Sequence, residues 1–304
     1  MDNLCHTLAG AAMGEAGLKR STRFGTLALM VSANLPDIDV LVFLTSVPAV
    51  AFRRGWTHGI LAQLILPLCL TGALVAFDRW RPAAEGTSRA RPGWLLLLAY
   101  AGVYSHVLLD LLNTYGVRLL MPVSGQWFYG DAVFIIDPWI WLALGLGVRF
   151  ARRRGAVGPA RVALAVATVY VVLMVGAAAW SARIVEAGWR DVHGRPPAAL
   201  MAGPVPLSPL HRQVIVDAGD YYATGTLRLW PRALRFDDDI VPKDDGGDEV
   251  ARARSAPAVA GFLVWSRFPF WDVAETPEGT RVTVRDMRFV DRLGGRFAGS
   301  VLLP

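Results

Sequence analysis

The stretch Leu95-Leu96-Leu97-Leu98-Ala99-Tyr100-Ala101-Gly102-Val103-Tyr104-Ser105-His106-Val107-Leu108-Leu109-Asp110 carries the reading of this chain. It is long and apolar enough to enter a bilayer, yet it ends in an imidazole and a carboxylate. His106, Asp110 and Asn113 stand at i, i+4 and i+7, so a helix places them on one face. Ionisable groups at membrane depth are costly and by default mark a functional site, and a metal ion held between His106 and Asp110 would account for both.

Around this stretch the composition is that of an integral membrane protein. Of 304 residues 54% are hydrophobic, and the mean hydropathy is +0.38, too apolar for an ordinary soluble protein. Stretches 59–77, 92–112, 132–148 and 162–180 each approach the roughly 20 residues that span a bilayer, which predicts four crossings. Segments 4–18 and 24–35 are shorter and suit a re-entrant or tilted helical hairpin.

The loop charges divide into two sets. Lys19, Arg20 and Arg23, then Arg79, Arg81, Arg89 and Arg91, then Arg149, Arg152, Arg153, Arg154 and Arg161 fall in one set of connections. The opposite set holds Arg53, Arg54 and Arg118. The positive-inside rule makes the first set cytoplasmic and everything after the last span extracytoplasmic. His6, Asp37, Asp39, His58, His106 and Asp110 then all fall at the outer leaflet. The net charge of +6 is explained by these loops and by anionic headgroups, with no aromatic-interleaved patch to suggest nucleic acid. Cys5 and Cys69 lack the spacing of a disulfide framework or a thiolate metal site. The N-terminal residues lack the basic start of a cleaved signal and are expected to remain in the mature chain.

Two further clusters join the His106 face. In Asn34-Leu35-Pro36-Asp37-Ile38-Asp39, Pro36 helps to end a short helix and leaves both carboxylates on a turn. In Arg53-Arg54-Gly55-Trp56-Thr57-His58-Gly59, paired arginines on the side that is poor in positive charge suggest an anionic substrate. The expected metal ligands are His6, Asp37, Asp39, His58, His106 and Asp110. Asp39 doubles as bridging ligand or general base, Arg53 and Arg54 orient an anionic group, and Asn34, Asn113, Asp131 and Asp137 surround the ligands. Asp137-Pro138 also matches a helix N-cap followed by proline. Mixed imidazole and carboxylate donors suit zinc first, with manganese or iron as alternatives, and the set is large enough for one or two ions.

These residues carry a resemblance. The segments Asp2-Asn3-Leu4-Cys5-His6-Thr7, 34–39, 53–59 and 105–110 resemble the YdjM-type family of bacterial inner-membrane proteins, over roughly residues 1–180. Cys5 stands where that family often has threonine. The resemblance implies an inner-membrane location, a His/Asp metal site and metal-dependent hydrolase activity, without naming a substrate.

From residue 183 the pattern changes to prolines and short alternating runs. Strands are expected at 213–216, 221–229, 258–268, 281–290 and 297–302, with 237–249 as a charged loop. The fold expected is therefore an α-helical membrane domain over 1–182, a helical hairpin plus about four spans, followed by a β-rich domain over 183–304. The function expected is a membrane-embedded metal-dependent hydrolase acting among membrane lipids on a lipid-linked or other anionic phosphoester. The alternative is a non-catalytic scaffold with a structural metal or His–Asp network, whose β domain binds an envelope protein.

Overall fold

The structure, a computed structural model, describes residues 1–81, 89–290 and 297–304. The chain divides into two compact units, Met1–Asp39 with Arg54–Ala177, and Val40–Arg53 with Ala178–Pro304.

The first unit is helical. Helices α1 (Asn3–Glu15) and α2 (Gly25–Ser32) form the short hairpin expected from the first two apolar segments. Asp2 starts α1 by accepting the backbone N–H groups of Leu4 and Cys5, which satisfies two of the donors a helix leaves open at its first turn. After α2 the chain bends by 49° into a 3-10 helix, Leu35–Leu44. Pro36 disfavours the α conformation at Leu35 and removes a donor, which accounts for the break.

A four-residue turn of helix, α3 (Ala49–Phe52), precedes α4 (Ile60–Trp80) and α5 (Pro92–Leu111); α6 (Pro138–Arg154) and α7 (Gly158–His193) follow. Among the described residues three helices, α4, α5 and α7, are long and apolar enough to cross a membrane, and the bent pair of α2 and the 3-10 helix would make a fourth broken or re-entrant span. Of α5's apolar stretch 44% is buried, against 17% for α4 and 11% for α7, so α5 is the inner helix. It packs on α2 and α4 while α1 packs on α2 and α6.

The stretch expected to span at 132–148 differs. It is helical only from Pro138, because Asp137 caps α6 through the N–H groups of Trp139 and Ile140. With 17 residues and Arg152, Arg153 and Arg154 in its last turn, α6 has a shorter apolar length than a full crossing needs.

The loops with the arginine excess gather at one end of this bundle. Arg23 pairs with Asp78 at 2.5 Å, the Arg91 N–H donates to Thr22 Oγ1 at 2.8 Å, Arg152 meets Glu15 at 3.1 Å, and Arg161 donates to the carbonyl of Ala16 at 2.9 Å. The sorting of segments by loop charge therefore matches their sorting in space.

The second unit is β-rich. Strands β1 (Ala199–Val205), β2 (Ser208–Asp217), β3 (Tyr221–Arg228) and β4 (Ala233–Pro242) form an antiparallel meander in that order. Helices α8 (Asp248–Ala253) and α9 (Pro257–Trp265) lead to a second antiparallel sheet of β5 (Pro269–Thr276), β6 (Gly279–Asp286) and β7 (Ala298–Leu303). Met201, Ile215 and Tyr222 of the first sheet cluster with Phe268 and Met287 beside the second.

Two expectations are corrected here. The run 258–268 is a helix for most of its length: a continuous apolar run has no decisive period, and Pro257 at the first helical turn favours a helix. The run 237–249 is not one loop. Asp237, Asp238 and Asp239 lie on β4, which pairs with β3 along only one side, and Glu249 lies in α8. The proline-rich stretch also contributes β1, an outer strand whose register shifts at Pro204 where the missing donor is tolerated. Residues 40–53 fold with this unit: α3 packs on α9, and a Cβ at Gly261 would lie 2.3 Å from Pro48 Cβ.

One buried ion pair anchors the second sheet. Asp286 takes Arg288 Nε at 2.7 Å and Nη2 at 2.9 Å, with Ser266 Oγ and the Arg267 N–H each at 2.7 Å. Burial alone would raise this carboxyl, but Arg288 and these donors hold it down to about 2. A depressed acid stabilises the fold above its unfolded value of about 3.9 and loses that contribution as pH falls through its folded value. We expect acid to remove roughly 2–3 kcal/mol from this unit between about pH 4 and pH 2. Thermal unfolding followed by near-UV circular dichroism, wild type beside Asp286→Asn, reads the difference; equal pH slopes in the two would contradict it.

Candidate metal centre

Four elements bring the centre together. The C-terminal half of α5 supplies His106 and Asp110, the 3-10 helix Leu35–Leu44, formed where a turn is expected from the sequence, supplies Asp37, the residue before Gly59 supplies His58, and α1 supplies His6. His6, His58, His106 and Asp110 are fully buried, Asp39 is 2% exposed and Asn113 1%.

Donor atoms of Asp37, His58, His106 and Asp110 all lie within 4.8 Å of one another. The two imidazoles face each other with Nε2 atoms 3.1 Å apart. Asp110 Oδ2 is 3.3 Å from His58 Nε2 and 3.6 Å from His106 Nε2, and Asp37 Oδ1 is 3.9 Å from His106 Nε2. Tetrahedral zinc with bonds near 2.0–2.1 Å sets neighbouring donors about 3.3 Å apart. The observed spacings bracket that value, so the residues fit a divalent ion. Asp110 Oδ2 is buried and accepts no aligned hydrogen bond; Arg54 Nε meets it at 3.0 Å, and such an ion would use its remaining lone pair.

The reverse sides of the rings are also held. His106 Nδ1 lies 2.7 Å from the carbonyl of Ala33, which makes Nδ1 the protonated nitrogen and Nε2 the free donor. His58 Nδ1 is 2.9 Å from Thr57 Oγ1 and 3.7 Å from Asp39 Oδ2. Asp39 in turn accepts the Arg54 N–H at 2.8 Å and Thr57 Oγ1 at 3.3 Å. The structure therefore places Asp39 behind His58 rather than among the converging donors. Such outer partners fix ring orientation and raise ligand basicity.

His6 stacks on His106 with ring centroids 3.8 Å apart, and its Nε2 lies 3.3 Å from Asp110 Oδ1. Asn34 donates to Thr7 Oγ1 at 3.0 Å, and Asn3 donates to Asp37 Oδ2 at 3.1 Å, leaving Oδ1 turned to His106. Arg54 is buried against Asp110, Nε to Oδ2 at 3.0 Å and Nη2 to Oδ1 at 3.2 Å, and donates to Asn113 Oδ1 at 2.9 Å. The amino group of Met1 also contacts Asp110.

Arg53 belongs to the other unit, where its guanidinium lies 5.7 Å from the Phe43 ring centroid. Asp131 sits in the connection before α6 at φ 48°, and Asp137 is the cap of that helix, bonded also by Tyr170 at 2.9 Å. Sequence reasoning missed Asn3, Thr57 and the carbonyl of Ala33. Thr57 had a signal, since it adjoins His58; a backbone carbonyl has none.

Comparison with known proteins places this unit in a family. The model of a family described as YdjM inner membrane protein matches residues 1–184, a range that includes every side chain of the centre. A curated relative, "Uncharacterized protein YfhP" of Bacillus subtilis (strain 168), is 28% identical over 156 residues, 47% of this chain and 44% of that protein. The match thus spans less than half of the relative's length. No solved structure matches. With 184 of its 304 residues matched, including the helical unit and its centre, this chain belongs to the YdjM family of inner membrane proteins.

Proposed function

We propose that this protein is a membrane-embedded metal-dependent hydrolase with its centre at the outer leaflet and its C-terminal unit extracytoplasmic. The convergence of Asp37, His58, His106 and Asp110 carries the reading. Zinc suits the donor set best, with manganese or iron as alternatives. When bound there, the ion supplies Lewis acidity and an activated water.

The chain's own residues do the rest. His58 and His106 present Nε2 because Asp39, Thr57 and the Ala33 carbonyl hold the other nitrogen. Arg54 orients Asp110 and keeps a fixed positive charge beside it. Asp37, with a side chain 10% exposed, is the donor nearest the surface and marks the approach. Its neighbour Ile38 is 46% exposed, and Leu4, beside Asn3, is 48% exposed. Apolar residues at a polar opening in a membrane protein favour a lipid-linked phosphoester over a soluble one.

Four protein donors also suit a closed tetrahedral site, which supports a second reading as a scaffold with a structural metal and an envelope partner for the β unit. Elemental mass spectrometry of detergent-purified protein tests both, with His58→Ala and His106→Ala beside the wild type. Metal in the wild type, lost in both variants, is expected; a metal-free wild type after reconstitution rejects both metal readings. Cleavage of phospholipid or lipid phosphate by the loaded protein separates enzyme from scaffold. Asp39→Asn is expected to weaken metal affinity about 10- to 100-fold without removing a donor, read by competition with a chelating dye. Unchanged affinity would show that Asp39 does not orient His58.

A further inference from the structure

Asp110 is contacted differently on its two oxygens. Oδ2 faces the imidazoles of His58 and His106 at 3.3 and 3.6 Å and Arg54 Nε at 3.0 Å. Oδ1 faces His6 Nε2 at 3.3 Å and Arg54 Nη2 at 3.2 Å, with the Met1 amino group beside them. This is the arrangement of a carboxylate that bridges two cations. In binuclear centres two ions sit about 3.5–4 Å apart and share such a bridge. Here the second side already holds a donor set, His6 with both nitrogens buried and free of hydrogen bonds, Asp110 Oδ1, and Asn113 Oδ1.

We infer that the guanidinium of Arg54 occupies the place of a second metal ion, so that the centre holds one divalent cation and one built-in monovalent one. The inference rests on the metal reading above. Arg54 spans both oxygens of Asp110 and reaches Asn113, and it is 4% exposed. Its backbone adopts φ 53°, a left-handed conformation that is unfavourable for a non-glycine residue. The surroundings over-determine that conformation: the N–H donates to Asp39 at 2.8 Å, the carbonyl accepts from the Arg118 N–H at 2.9 Å, and the guanidinium lies 4.7 Å from the Tyr115 ring centroid.

Electrostatics then excludes a second ion. Arginine does not shed its proton in proteins, and a divalent ion sharing Oδ1 would be repelled at short range in a low-dielectric interior. Asp37, Asp39 and Asp110 carry three negative charges; Arg54 carries one positive charge and the Met1 amino group, when protonated, a second. One divalent ion meets or exceeds that balance, and two overshoot it. The consequence is a permanent cation beside the metal, placed to hold an anionic group without depending on metal supply.

Metal stoichiometry tests this by a gain that misfolding does not produce. Full-length protein in detergent is titrated with zinc, and separately with manganese, by calorimetry and checked by elemental mass spectrometry. We expect one equivalent for wild type, one for Arg54→Lys, and two for Arg54→Ala and Arg54→Gln. Adding His6→Ala to either neutral variant should return the count to one. Two equivalents in wild type, or one in both neutral variants while they retain wild-type circular dichroism, overturns the inference and leaves the hydrolase reading standing. No metal in wild type overturns both. If Arg54→Ala fails to fold, Arg54→Gln, close in size and able to bond Asn113, decides the matter.

Discussion

Asp110→Ala is expected to abolish metal retention and to cost about 3–5 kcal/mol of stability, the range for removing one partner of a buried ion pair. No other residue is contacted by so much of the centre. Its carboxylate meets His6, His58, His106 and Arg54 within 3.6 Å, and the Met1 amino group also contacts it. The stability loss comes from Arg54, whose guanidinium stays buried and charged, left with Asn113 Oδ1 at 2.9 Å in place of a carboxylate. Asp110→Asn keeps the volume and one acceptor oxygen, so it should lose metal equally while unfolding at a temperature between those of Asp110→Ala and wild type. Metal content and thermal unfolding in detergent check both parts. A metal-replete Asp110→Ala, or an unfolding shift worth less than about 1 kcal/mol, would refute the central place given to this carboxylate.

Gly102→Val is the second large effect, and it acts without touching a ligand. A Cβ at Gly102 would lie 1.8 Å from Ser32 Oγ, 2.8 Å from Ser32 Cβ and 2.9 Å from the Ala33 nitrogen. Any side chain there forces α5 away from the end of α2. Overpacking of a well-packed interior costs about 1–3 kcal/mol and more where backbone must move, as here. The same displacement breaks the 2.7 Å contact between the Ala33 carbonyl and His106 Nδ1, so loss of outer-partner support should lower metal affinity at least about 10-fold. Gly102→Ala should show the same loss at smaller size. Adding Ser32→Gly removes the offending side chain, leaves the clash with Ala33 N, and should recover part of the loss. Wild-type affinity in a folded Gly102→Val protein would show that the α2–α5 contact does not set the His106 ring.

Legibility followed the physics of each segment. The spacing of His106 and Asp110 is a property of one helix, so their shared face was readable from the residue numbers, and the structure brings them to 3.6 Å. The loop charges predicted which helix ends lie together, and Arg23 with Asp78 and Glu15 with Arg152 meet accordingly. The run 258–268 was misread because uniform apolarity has no period, and β4 because three successive aspartates outweigh a pattern that tolerates charge on an exposed strand. Residues 40–53 adjoin the centre in sequence but fold with the second unit through Pro48 and Gly261, a pairing across more than two hundred positions that no local signal carries.

By itself the sequence determined the membrane character, the helical hairpin and the identity of the acidic and imidazole groups, since each follows from composition or from spacing within one element. Tertiary structure alone decided which groups converge and which support. Asp37 and Asp39 are two residues apart on one turn, yet one points to the donors of His106 and the other to the back of His58. Arg53 and Arg54 are adjacent, yet Arg54 meets Asp110 while Arg53 folds with the second unit, near the Phe43 ring. Direction at a turn is set by backbone angles and by what packs against them, and those are fixed only when α1, α2 and α5 meet.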